Sequence, residues 1–285
     1  MASVASLPRA RRRPRLRAAD VPFIAFVLAV AGLIAFGAAV SPHDAVALDP
    51  LHALQPPSLA FPFGTDEFGR DVFSRVLSGA RPTLLLALAA AAMGVMLGAV
   101  TGLVSGYLSG ATDEVTMRAM DALMSFPGLV LAMLVVVMLG PGPINIIGAI
   151  ALVFWPRSAR LVRSMVVDLA RREFVDAARS RGESPHFIIF RELLPNVLAL
   201  VIVDFSLRVT AAILLAASLA YLGVGVAPPT PAWGLMVKDG QPLIEIAPWL
   251  VLFPCAAIAC VSIGAVLVGE RLRRVFALPG AEAGR

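Results

Sequence analysis

At 285 residues, with 59% of them hydrophobic, 15% charged and a mean hydropathy of +0.85, the chain is far from soluble composition, in which charged residues make up about a quarter. That balance excludes an ordinary soluble enzyme and points to a polytopic membrane protein. The net charge of +5 does not indicate nucleic acid: all but one of the 24 basic residues are arginine, they cluster at the ends of apolar runs, and no basic face with interleaved aromatics occurs.

Arg9 to Arg17 holds six arginines, and Val21 to Val40 follows with 20 uncharged residues, enough to cross ~30 Å of hydrocarbon as a helix. The basic flank, residues 1–20, is expected in the cytoplasm, and Arg11 to Arg13 also suit anionic lipid. A signal-peptide core is only about 7–15 residues, so this run reads as a retained first helix. Residues 41–81 then lie outside. In that segment Val72, Phe73, Val76 and Leu77 share a helical face, and Glu67, Asp71 and Arg75 follow at a spacing of four, which predicts a short amphipathic helix at the membrane surface. Asp66, Glu67 and Asp71 have the composition of a metal site, but Arg70 and Arg75 stand ready to neutralise them and no metal site is expected. His43 and His52 are expected to be solvated loop residues.

The second apolar run, Pro82 to Leu108, repeats Gly94, Gly98, Gly102 and Gly106 every fourth residue. Between lipid-embedded helices association depends on close backbone approach, so this stripe predicts tight packing. It drifts by ~40° per repeat, which predicts more than one neighbour. A polar segment with Asp113, Glu114, Arg118 and Asp121 lies inside, and Ala122 to Leu139 reads as a third span that tolerates Pro127 near its start. After the turn Gly140 to Pro143, a fourth span from Ile144 to Trp155 continues beyond the membrane as a basic helix with Arg157, Arg160 and Arg163.

Glu173 to Asn196 is the largest polar interruption. Arg171 to Arg181 favours helix, Gly182 stops it, and Ser184 with Pro185 restarts it as cap and first helical residue. Eight arginines from Arg157 to Arg191 place the segment in the cytoplasm, whereas the outer loops hold only Arg70, Arg75, Arg81 and Lys238. The fifth span, Val197 to Leu222, carries Asp204 and Arg208 one turn apart; they either line a pathway or satisfy each other. An outer loop, Val224 to Pro248, leads to a sixth span at Trp249 to Val268, in which Cys255 and Cys260 are expected as buried small apolar residues. Both termini are therefore expected inside. The single lysine, Lys238, follows Val237, so no P-loop exists, and no HExxH, Cys-x-x-Cys or GxSxG occurs.

Asp176-Ala177-Ala178, three residues, Gly182, nine residues and then Glu192-Leu193-Leu194-Pro195 resembles the EAA loop of permease subunits of bacterial ATP-binding cassette importers. Asp176 stands where that family usually has glutamate, and Glu192 where it has isoleucine. Phe63 to Asp71, Ala217 to Gly223 and Pro228 to Gly234 are similar to the second permease of dipeptide, oligopeptide and nickel importers. The resemblance implies an all-α fold of six transmembrane helices, the type I importer permease fold, with a five-helix core at 82–276, a coupling loop at 157–196 and a cytoplasmic tail at 277–285. It implies that Asp176, Ala177, Ala178 and Gly182 meet an ATPase subunit, braced by Phe187, Ile188 and Pro195. It further implies a second permease subunit, a substrate-binding protein outside, ATP and Mg on partner subunits only, no catalysis by this chain, and residence in the bacterial inner membrane. A stand-alone secondary transporter driven by an ion gradient is the alternative, although such proteins usually show internal repeats and none is visible here.

Overall fold

The computed structural model describes residues 21–276. Expectations for the basic tail 1–20 and the tail 277–285 lie outside the described residues. No strands form among the described residues, and the elements are helices α1 (Val21–Val40), α2 (Val72–Leu108), α3 (Gly110–Met124), α4 (Gly128–Leu139), α5 (Pro143–Leu169), α6 (Glu173–Ser180), α7 (Pro185–Phe187), α8 (Leu194–Tyr221), α9 (Trp233–Gly240) and α10 (Trp249–Val275). Five helical segments are long and apolar enough to cross a membrane, and the bent pair α3 and α4 supplies a sixth span if taken together. In hydrocarbon only structures that satisfy every backbone group internally survive, which is why these runs are helices.

Helix α2 differs from the expected two pieces. No separate amphipathic helix forms; one helix starts at Val72 and runs 37 residues straight through Pro82. Residues before it fold into a turn closed by the Thr65–Asp71 bridge, and Asp71 caps α2 by accepting from the Phe73 and Ser74 amides. The cap explains the start: a carboxylate at the N-cap satisfies amides that have no intrahelical acceptor. Because Val72 and Val76 pack into the main core, their apolar face meets protein and not a membrane surface.

The third span also differs. Ala122 to Leu139 is broken: α3 extends to Met124, α4 begins at Gly128, and the two axes meet at 89°. Pro127 sits at the N-cap of α4, where its missing amide costs nothing. As a 12-residue helix α4 covers only ~18 Å, less than the hydrocarbon layer. The fourth run, in contrast, is a single 27-residue helix that carries Pro156 within it and extends to Leu169.

The glycine stripe meets one neighbour, α5, along its whole length. A Cβ added at Gly94 would lie 2.9 Å from the Ala151 carbonyl oxygen, one at Gly98 2.4 Å from Ser158 Cβ, one at Gly102 2.5 Å from the Ala159 oxygen, and one at Gly106 2.9 Å from Val166 Cβ. Partner numbers rise together, so the helices run parallel, and α5 winds with the drifting stripe instead of leaving it to a second helix. Around this seam the core joins α2, α4, α5, α8, α9 and α10, and a smaller cluster gathers Leu103, Val166, Val175, Ala178, Ile188 and Leu193 at the end that holds α6. Helix α1 is peripheral: Gly37 lies against the Leu77 carbonyl, and Phe26 covers Gly264 of α10. Cys255 and Cys260 are exposed on α10, not buried as expected, since the face of α10 that carries them meets no other part of this chain.

Candidate functional site

Helix α6 hangs between α5 and α7 at one end of the bundle. Its C-terminus follows from Gly182: with φ +77 the glycine turns the chain, its amide donates to the Arg179 carbonyl at 2.9 Å, and the Glu183 amide donates to the Ala178 carbonyl at 3.2 Å. This pairing closes the last orphan carbonyls, and the left-handed φ is what restricts the position to glycine. No atom would lie within 4 Å of an added Cβ, so space is not the constraint. Ser184 then caps α7 by accepting from the Phe187 amide at 3.3 Å, with Pro185 at the first helical position. From Pro185 the chain stays helical to Tyr221, through one π-helical stretch at Ile188–Leu193.

This geometry divides the residues expected to meet an ATPase. Asp176, Ala177, Gly182 and Pro195 lie exposed, and Phe187 is half-buried. Ala178 and Ile188 point inward, at 0% and 1% exposure, and pack with Val175 and Leu193. They build the support of α6 and are not available as a contact surface, because an amphipathic helix of eight residues must spend one face on its own protein. Arg179 reaches Asp176 at 3.2 Å and stacks over the Tyr107 ring of α2, 5.3 Å from its centre. Hydrogen bonding to Tyr107, more than the charge of Asp176, holds the Arg179 guanidinium above its ordinary pKa. Glu192, the departing motif position, lies 3.6 Å from Arg181 across the glycine turn, so a carboxylate there faces a cation and not a core.

Asp204 is 3% exposed and accepts a 2.5 Å hydrogen bond from Ser158 Oγ of α5. Arg208 Nε stands 3.2 Å from Asp204 Oδ1, off the line of a hydrogen bond, and its guanidinium covers the Phe154 ring at 5.8 Å. The pair thus faces α5 inside the subunit, its opposite charges side by side and Arg208 Nε without a hydrogen bond. Ser158 has no local signal in the sequence, because its partner is 46 residues away.

At the opposite end, Asp66 binds Arg70 Nε at 2.6 Å and lies 3.5 Å from Arg75 Nε, while Arg75 donates to the Ala45 carbonyl at 2.9 Å. Asp66 is thereby neutralised by arginine, and among the described residues no group of histidine, cysteine, aspartate and glutamate is arranged to hold a metal. His43 is not simply solvated: its Nδ1 lies 3.2 Å from Asp71 Oδ2, and His52 lies 2.7 Å from Asp49. Helix α9, unforeseen in the outer loop, is fastened by Trp233, which is fully buried and donates from Nε1 to the Val76 carbonyl at 2.9 Å. Loss of solvent pushes the neighbouring Asp239 carboxyl up, with Arg75, Lys238 and Arg70 opposing.

Residues 94–277 match the family described as binding-protein-dependent transport system inner membrane component. The glutathione transport system permease protein GsiD of Salmonella paratyphi A is 42% identical over 262 residues, covering 91% of this chain and 86% of that protein. The dipeptide transport system permease protein DppC of Alkalihalophilus pseudofirmus is 40% identical over 225 residues, covering 79% and 74%. A chain from a structure of inward facing conformations of the MetNI methionine ABC transporter shares the fold with a TM-score of 0.54 at 14% identity, covering 70% of this chain and 96% of its own. These relatives set aside the stand-alone secondary transporter. A polar helix at one end of a glycine-seamed helical bundle belongs here to a multi-pass membrane protein: the chain is a member of the binding-protein-dependent transport system inner membrane component family, a non-catalytic permease subunit of an ATP-binding cassette importer.

Proposed function

We propose that this subunit, with a second homologous permease, forms the pathway through which a short peptide such as glutathione or a dipeptide enters the cell, and that α6 is the contact through which an ATPase subunit drives it. The observation that carries the reading is α6 itself: a short helix closed by Gly182, with Asp176 and Ala177 exposed and Val175 and Ala178 of its other face buried in one cluster with Ile188 and Leu193. Small side chains on the outer face permit close seating of a partner, and the buried face passes displacement into the spans. ATP and Mg bind on the ATPase subunits. An extracytoplasmic binding protein delivers substrate at the end formed by α9 and residues 41–71. Both termini lie in the cytoplasm of a bacterial cell, consistent with the excess of arginine at the α6 end.

The coupling claim is tested by replacing Asp176 and Ala177 together by lysine and leucine and measuring ATPase recovery with the purified permease pair. Loss of co-purification is expected; full recovery refutes the contact. Substrate class is tested on the cognate binding protein by thermal unfolding with glutathione, dipeptides, longer peptides and nickel chelates, where ligand binding raises the midpoint by mass action. A protective effect of nickel chelates alone rules out the peptide reading.

A further inference from the structure

At the end of the bundle remote from α6, the C-terminus of α1 and the early turns of α2 enclose a cavity of about 690 Å³ with Thr230 and Pro231 of the loop before α9. Its lining divides by chemistry: Ser41, Ser78, Arg81 and Thr230 form a polar part, and Ala38 and Leu85 an apolar one. Ala38 is near the end of the uncharged run that closes at Val40, and Leu85 is one turn inside the run that opens at Pro82, with 45% of its surface exposed. The cavity therefore straddles the level at which both apolar runs stop, which is the boundary between hydrocarbon and lipid headgroups.

Arg81 is the cation of this cavity, and its charge is unspent. Arg70 and Arg75, just before it in the chain, both face Asp66, at 2.6 and 3.5 Å. Arg81 is exposed and makes no hydrogen bond or ion pair among the described residues, and the same holds for the hydroxyls of Ser78 and Thr230. Two titratable groups complete the rim. His43 Nδ1 is engaged with Asp71 at 3.2 Å, and Asp44 accepts from the Val46 amide at 2.9 Å and is the one carboxylate lining the cavity. A guanidinium offers a planar fork of donors that matches a phosphate, and neighbouring hydroxyls add to it. With exposed apolar side chains directly below, the arrangement suits an amphiphile that has an anionic head.

We propose that this cavity binds a phospholipid of the leaflet remote from α6, with the phosphate held by Arg81, Ser78 and Thr230 and the acyl chains running along Ala38 and Leu85. A soluble phosphate ester uses only the polar half, since Leu85 and Ala38 offer it nothing; a phospholipid uses both. The site lies beside the contact of Gly37 with the Leu77 carbonyl, one of the few places where the peripheral α1 touches the bundle. A lipid seated there fills the gap between α1 and α2 and fastens α1 at that level.

The experiment uses the assembled transporter in dodecyl maltoside, a detergent without phosphate, and a phosphatidylglycerol that carries a diazirine next to its glycerol; adducts are mapped by peptide mass spectrometry after illumination. In the wild type, adducts concentrate on residues 38–46 and 78–85. Arg81→Gln, which keeps a helix-forming side chain, lowers them by about tenfold, the loss that one charge-assisted contact predicts, while adducts on exposed Leu252 and Ile263 of α10 stay constant as the reference for an intact fold. Asp44→Asn raises them by removing the opposing charge. A diacylglycerol with the same diazirine labels these residues weakly, and equally in the wild type and Arg81→Gln. Excess glycerol 3-phosphate does not compete. Equal phosphatidylglycerol labelling in the wild type and Arg81→Gln, a fall in Asp44→Asn, or diacylglycerol labelling as strong as that of phosphatidylglycerol overturns the proposal. Displacement by glycerol 3-phosphate also overturns it, as a site for a soluble anion.

Discussion

Gly98→Ala adds a single methyl group at the tightest point of the α2–α5 seam. The new Cβ would stand 2.4 Å from Ser158 Cβ and 2.8 Å from the Ala159 nitrogen, whereas carbon atoms rest at about 3.5–4.0 Å. The helices must separate by roughly 1 Å, and a gap of that size forfeits about a quarter to half of each dispersion contact along the seam. Two of the three obstructing atoms are backbone, so no rotamer relieves the clash, and the cost belongs near the top of the ~1–3 kcal/mol range for overpacking. Ser158 also holds Asp204, so its displacement weakens the buried pair as well. The control is Gly148→Ala on α5, where nothing lies within 4 Å and removal of a helical glycine stabilises by about 0.5–1 kcal/mol. Denaturant unfolding of the detergent-solubilised subunit, with recovery of the assembled transporter measured in parallel, should separate the two variants by more than ~2 kcal/mol. Equal stability of Gly98→Ala and Gly148→Ala would falsify the packing argument.

Other expectations follow from the same geometry. At Gly182 the penalty tracks φ and not size: Asn should retain most ATP-coupled transport, Ala should lose part, and Val should lose most, because a left-handed backbone costs an ordinary residue roughly 1–2 kcal/mol; a ranking by side-chain volume, with Ala best, contradicts this. Asp204→Asn leaves Arg208 without its counter-charge and should destabilise by about 3–5 kcal/mol in thermal unfolding, while Asp204→Leu with Arg208→Met should recover much of that loss. A double variant no better than the single one rejects the paired-charge account. Trp233→Phe removes the donor to the buried Val76 carbonyl and should cost about 1–3 kcal/mol, loosening α9 as read by increased proteolysis between α8 and α10. An unchanged cleavage rate counts against Trp233 as the fastener.

Elements written in short-range chemistry were legible in advance. Long uncharged runs must be helices in lipid, so α1 and the apolar length of α10 follow from composition alone. The turn at Gly182 and the restart at Ser184-Pro185 depend on contacts within five residues, and the glycine period dictates that something packs closely on α2. Which helix fills that seam, and that one helix fills all of it, required the third dimension. Asp113 meets Arg163 across 50 residues and Asp204 meets Ser158 across 46, distances over which no local period carries information. The same holds for α2: Val72 and Val76 have the spacing of a membrane-surface helix, and only the tertiary packing, in which Trp233 of α9 bonds the Val76 carbonyl, turned that face into core. Hydropathy and capping act between neighbours and are readable one segment at a time; close approach and charge pairing depend on which segments the fold brings together.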